Sequence, residues 1–345
     1  MPSDYGYINA RLKGQHSRLL KPGAYEELLG LPDFNAFAKW LATSPYSKEW
    51  QEAQTRFAGL AAAEEALAAN FNSSTRLMRK ISDGGPNKLI GIILRRWDLE
   101  NVKAVVRGIH NHWDSDEIFR AVLPAGNLDK VKLKELCRKA DLRELADTLA
   151  TWGEELAGPL TKALPEYQKE HQLTGLELAL DQFFFSQALK GLAGLDYNKS
   201  LVRELLRREI DLLNAKALRR LMAREGIDLP EAVRNYLPGG KLLTLEKYAA
   251  LLDPKESQRA LRSIRGTSLH RLLTADDSQG GREEKLDREE WRQKALAYRG
   301  DPLGIDVAVG FLWQKYFEVV NLKLIARGKH FGIPAEDIRH QLLTA

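Results

Sequence analysis

Residues 97–109 read WDLENVKAVVRGI, and the same pattern returns at residues 210–222 as IDLLNAKALRRLM and at residues 317–329 as FEVVNLKLIARGK. Each copy has an acid at its second position (Asp98, Asp211, Glu318) and an asparagine at its fifth (Asn101, Asn214, Asn321). A lysine follows at the seventh (Lys103, Lys216, Lys323) and an arginine at the eleventh (Arg107, Arg220, Arg327). The asparagines lie 113 and 107 residues apart. That spacing is too long for a short solenoid repeat and has the size of a small domain.

On a helical wheel Trp97, Asn101, Ala104, Val105 and Gly108 share one stripe, and the other two copies place their residues alike. An asparagine thus sits three times inside an apolar stripe. A buried amide without partners costs about 1–3 kcal/mol, so each is expected to bond a neighbouring helix or a backbone carbonyl and set the packing register. The lysine and arginine are spaced i, i+4 on the opposite side. Two readings are open for them: a solvated basic face, which is the ordinary one for surface cations, and pairing with acids of an adjacent repeat, which the threefold recurrence raises.

Working outward, each motif leads into a similar segment, FRAVL at residues 119–123, VRNYL at 233–237 and IRHQL at 338–342. The first two run on into Pro124-Ala125-Gly126-Asn127-Leu128 and Pro238-Gly239-Gly240-Lys241-Leu242, where new repeats start. The expected division is therefore 1–122, 123–236 and 237–345, three repeats where a length of 345 residues alone suggests about two domains. Residues 48–71, rich in alanine, leucine and glutamate, read as one long helix, and residues 173–191 and those from 303 onward as apolar helices. The polar stretch TADDSQGGREE at 274–284 reads as a surface loop, and no strand-like alternation occurs. The fold class is all-α.

A hydrophobic share of 44% is enough for a sizeable core, and 29% charged residues leave no sign of wholesale disorder. The single cysteine, Cys137, excludes an intramolecular disulfide and a cysteine-based metal site. The first residues, MPSDYGYINARLKG, contain no apolar signal core, and no window is long and apolar enough to span a membrane, so a soluble chain is expected. A net charge of +5 favours acidic partners only slightly, because cations and anions are interspersed.

Catalytic constellations are nearly absent. Lys241 follows two glycines but lacks the rest of a phosphate loop, and Asn87-Lys88 fails alike. Asp276-Asp277 lies in the polar stretch, whereas a magnesium site needs carboxylates held on rigid elements. His110 with His112, and His330 with His340, lack metal-helix spacing. No catalytic, cofactor-binding or metal-ligating residue is assigned; the twelve motif positions are structural. The one basic run, Arg203 to Arg224, contains Arg207, Arg208, Lys216, Arg219 and Arg220 but is interrupted by Glu204, Glu209 and Asp211, which a phosphate-tracking face would exclude. A scaffold binding nucleic acid or protein through residues 203–224 is the alternative reading.

With the three motif copies, the LPxGxL turns at Leu123 and Leu237 and the opening Tyr5-Gly-Tyr-Ile-Asn-Ala-Arg11-Leu12, the chain resembles the C subunit of the V/A-type rotary ATPases, the counterpart of the d subunit of the vacuolar enzyme. The resemblance covers essentially the whole length. It implies three pseudo-symmetric helical bundles arranged as a funnel around an axial cavity, with no active site and no cofactor. It further implies a single copy per complex, monomeric when isolated, at the cytoplasmic face of a membrane. The implied partners are the proteolipid ring and central shaft subunits of the D and F types, with no nucleic acid and no membrane span, and the implied task is passing torque during proton or sodium transport. Glu318 and Phe317 depart from the other copies, so pseudo-symmetry is expected to be poorest in the third repeat.

Overall fold

The structure, a computed structural model, describes residues 5–222, 229–274 and 282–343. In chain order the helices are α1 (Tyr5–His16), α2 (Pro22–Leu29), α3 (Phe34–Thr43), α4 (Ser47–Gln54), α5 (Gly59–Lys80), α6 (Gly84–His110), α7 (Ser115–Ala121), α8 (Lys130–Leu136), α9 (Leu142–Thr151) and α10 (Ala157–Glu170). They continue as α11 (Leu173–Gly191), α12 (Tyr197–Met222), α13 (Leu229–Arg234), α14 (Leu245–Leu252), α15 (Ser257–Ser263), α16 (Ser268–Leu273), α17 (Arg282–Leu296), α18 (Asp306–Phe331) and α19 (Ala335–Gln341). The described residues contain no strand, and the protein is all-α.

The stretch expected to be one helix over 48–71 is two. α4 ends at Gln54, Phe57 and Ala58 leave the helix, and Gly59 restarts it with φ +57°, a conformation glycine adopts without steric cost. The polar stretch 274–284 is helical again from Arg282, and residues 275–281, with Asp276 and Asp277, lie outside the described residues. So does Arg224 of the basic run.

The chain forms two compact units. One comprises Met1–Asn101, Phe119–Leu133 and Trp291–Ala345, the other Val102–Ile118 and Lys134–Glu290. In the first unit α18 is the central helix. From Asp306 to Trp313 every residue is buried, as a helix segment enclosed on all sides requires, while in the motif half Val320, Lys323, Leu324 and Arg327 form a stripe that is partly or fully exposed. It packs against α5, α1 and α3, and Trp97, Phe71, Trp313 and Tyr316 meet at ring distances of 5.6–5.9 Å. Gly332, at φ +68°, ends α18, and Ile333 N–H returns to Gly328 O, a left-handed glycine stop.

In the second unit α9, α10 and α11 pack in sequence, while α12 packs on α14 and α16. The core beneath α12 joins Leu212, Ala215 and Leu218 to Ala232, Tyr248, Leu251, Ile264 and Leu272. Asp141, Thr244 and Thr267 cap α9, α14 and α16 with their side chains.

Candidate functional site

The three motif copies are the C-terminal part of α6, the second half of α12 and the second half of α18. Each asparagine uses both ends of its amide on one backbone unit. Asn101 Nδ2 donates to Leu123 O at 2.8 Å while Leu123 N–H donates to Asn101 Oδ1 at 2.7 Å. Asn214 does the same to Leu237 at 2.8 Å both ways, and Asn321 to Leu343 at 2.8 and 2.7 Å. The third partner is Leu343, not Leu342, which corrects the alignment of residues 338–342 with the other two segments. Matching arginines displaced that register by one; Leu123 and Leu343 both lie 22 residues beyond their asparagine.

The acids hold backbone N–H groups that lead into a further helix. Asp98 accepts from Asn127 N–H at 2.8 Å and Leu128 N–H at 2.9 Å. Asp211 accepts from Lys241, Leu242 and Leu243 N–H at 2.9–3.0 Å. The carboxylates come so close that a Cβ on Gly126 would lie 2.3 Å from Asp98 and one on Gly240 2.2 Å from Asp211, which is why each turn needs its glycine. Glu318, at the third copy, differs in its partner. It accepts instead from Leu20 N–H at 2.5 Å, at the other end of the sequence. Leu20, Leu128 and Leu243 each stand two residues before the next helix, at α2, α8 and α14.

Glu318 is the most elaborate of the three. Tyr46 OH donates to it at 2.5 Å and Lys315 Nζ at 2.7 Å, and Lys315 also reaches Tyr46 OH at 2.9 Å. All three side chains are buried. Burial, and then the Glu318 charge, hold the Tyr46 phenol far above its usual range, so it stays a hydrogen-bond donor. Tyr25, beside Asn321 and Glu318, is shifted upward for the same two reasons.

The cations of each motif face acids that sequence reading passed over. Lys103 donates to both oxygens of Asp181 at 2.9 and 3.0 Å, and Arg107 forks onto Glu177 at 2.6 and 2.7 Å. Lys216 pairs with Asp287 at 2.5 Å and Arg327 with Glu64 at 2.5 Å. These acids belong to a second recurring pattern, Glu-x-x-Leu-Asp, at residues 177–181 and 283–287, which returns at 64–68 with alanine last. Leu67 and Leu180 are fully buried, which fixes the face on which the acids stand. The signal was legible, since each copy lies on the helix or helical stretch preceding a motif. Lys323 alone makes no hydrogen bond or ion pair among the described residues, and the position its pattern assigns is Ala68.

Residues 8–341 match the family of the ATP synthase (C/AC39) subunit. The chain belongs to that family. Among the relatives of this family member, the V-type ATP synthase C subunit of Deinococcus radiodurans is 28% identical over 99% of this chain and 92% of its own. The A-type ATP synthase C subunit of Haloferax volcanii is 30% identical over 98% and 97%, and that of Archaeoglobus fulgidus 28% over 98% and 96%.

The remaining sequence candidates of this C/AC39 protein are accounted for locally. Lys241 Nζ is bonded to Glu204 at 2.7 Å, and that bond is the main cause holding the Glu204 carboxyl below its usual range. Asn87 Nδ2 ties Arg79 O and Ser82 O across the turn into α6. His110 meets Tyr167 OH at 2.9 Å, His112 takes a left-handed turn at φ +54°, His330 packs edge-on against Phe34 and His340 lies 3.5 Å from Glu336. No group of His, Cys, Asp or Glu among the described residues is placed to hold a metal ion. Cys137 is buried, and burial pushes its thiol up to about 12. In the basic run Arg203 donates to Leu192 O, Gly194 O and Ser200, and Lys216 is committed to Asp287, so these cations serve the fold rather than a phosphate backbone. Among the described residues no helix is long and apolar enough to cross a membrane.

Proposed function

We propose that this protein is the non-catalytic coupler of the rotor in its ATP synthase. Its three repeats, over 1–122, 123–236 and 237–345, close into a funnel that seats on the proteolipid ring at the cytoplasmic face and receives the tip of the central shaft. Torque passes through it between the nucleotide-binding head and the ring, during transport of protons or sodium ions. The isolated chain is a monomer, and the complex holds one copy.

The observation that carries the reading is the cyclic order of the bonds. Motif one bonds the start and the acidic helix of repeat two, motif two those of repeat three, and motif three, through Glu318 and Arg327, returns to Leu20 and Glu64 of repeat one. A cycle of like units bonded by buried carboxylates and amides resists shear, and a torque coupler needs stiffness and two interfaces rather than chemistry. Membership of the C/AC39 family supplies the assembly.

The test is co-purification. The tagged chain, drawn from detergent-solubilised membranes of its native host, should bring down a proteolipid together with shaft and nucleotide-binding subunits in amounts comparable to itself. Recovery of none of them, or of RNA or DNA in their place, overturns the reading.

A further inference from the structure

Four of the six motif cations make close ion pairs with the Glu-x-x-Leu-Asp/Ala helices, and the exception that matters is Lys323. Arg107 meets Glu177 and Lys103 meets Asp181, an antiparallel register in which a cation four residues earlier meets an acid four residues later. Arg327 meets Glu64 in the same way, so the register brings Ala68 opposite Lys323. No carboxylate stands there. The nearest acids are engaged: Glu64 by Arg327, and Glu65 by Lys130. Three cations thus share two carboxylates, and the junction carries a surplus positive charge.

Lys323 is only partly accessible. Burial is the leading cause that lowers its pKa from the ordinary lysine value, with Arg327 adding to it, against the opposing pull of Glu64 and Glu65. A half-desolvated cation with no close partner is unfavourable unless a further anion arrives. Lys323 lies eight residues before the end of α18, about 12 Å along the helix, and Ala68 lies nine residues into α5, a similar distance. A group at mid-helix is out of reach of a partner that caps the helix ends. It is reached by one that lies along them, and in the rotor that partner is the shaft.

We propose that Lys323 is a docking cation that takes an acidic side chain of the central shaft, which supplies in the assembled rotor the carboxylate missing at Ala68. This rests on the coupler reading above, and the experiment separates the two. Wild-type chain, Lys323→Gln and Ala68→Asp are each titrated with the purified shaft subunits, and Lys323 acetylation by limiting acetic anhydride is followed by mass spectrometry in free and bound chain, with exposed Lys80 as reference.

The expected result is wild-type binding with Lys323 acetylation falling about fivefold or more on complex formation, and binding about tenfold or more weaker for both variants. Ala68→Asp supplies the acid internally, so in the free chain it should also protect Lys323 and raise the melting temperature. Wild-type binding that leaves Lys323 equally reactive, or equal affinity in Lys323→Gln, overturns the inference and leaves the coupler reading standing. Protection of Lys323 by purified proteolipid ring instead of shaft overturns the choice of partner. Failure of the wild-type chain to bind the shaft at all removes both.

Discussion

Each motif asparagine satisfies one N–H and one C=O of a leucine 22 or 23 residues further along the chain. Leucine at Asn101, Asn214 or Asn321 keeps the volume but strands both backbone groups, at a cost of about 1–3 kcal/mol each. Urea unfolding should show a lower midpoint with an unchanged slope for all three variants; a midpoint at the wild-type value would mean water replaces the amide at no cost. Glu318 offers a sharper case, because Glu318→Gln leaves the buried Lys315 charge without its carboxylate, worth about 3–5 kcal/mol. Glu318→Asp should cost less, losing reach to Leu20 but retaining the charge. The amide's burial was legible from the apolar stripe, whereas its partner was not, since a residue 22 or 23 positions away is placed by the loop rather than by the wheel. The switch from Asp to Glu was visible too, but its reason is spatial: the longer side chain reaches an amide supplied by the opposite end of the chain.

At the scale of elements, two motif helices carry a glycine in their last turn that lets the next short helix close in. A Cβ on Gly108 would lie 2.4 Å from Ile118, and one on Gly328 2.2 Å from Ile338. The middle copy has Leu221 in that place, and the isoleucine is replaced by Ala232, which belongs to the same core as Leu221. The bulk has changed sides, so volume is kept. Gly310 is tighter, because its missing Cβ faces the Tyr298 backbone at 2.1 Å. Alanine at Gly310 should therefore lower the melting temperature more than alanine at Gly328, and only the latter should be rescued by Ile338→Ala. Equal losses, or rescue of neither, would place the clash elsewhere. The motif helices were read correctly because their period runs over many residues, while the break between α4 and α5 was missed because Gly59 sits in an alanine-rich run that favours helix on propensity alone.

At the scale of the molecule, the third junction repeats the first without a peptide bond. Asn101 holds Leu123 and Asp98 holds Leu128 across a continuous turn, while Asn321 holds Leu343 and Glu318 holds Leu20, two segments joined only through the whole length of the chain. The threefold pattern in the sequence announced like repeats; that the third bonds to the first could not be read from it, because Leu343 and Leu20 are far apart in the sequence. If side-chain bonds suffice at one junction, the covalent link at another is dispensable. Separate chains of residues 1–123 and 124–345, expressed together, should then co-purify in equal amounts and melt cooperatively, less stable than the intact chain mainly through the entropy of association. A break inside α11, which severs a helix that packs into the core rather than a junction, serves as the control and should give no soluble pair. Were the 123/124 fragments to stay apart, the turn itself, rather than Asn101 and Asp98, would be what joins repeat one to repeat two, and Glu318 with its two buried partners would be the compensation required where that turn is missing.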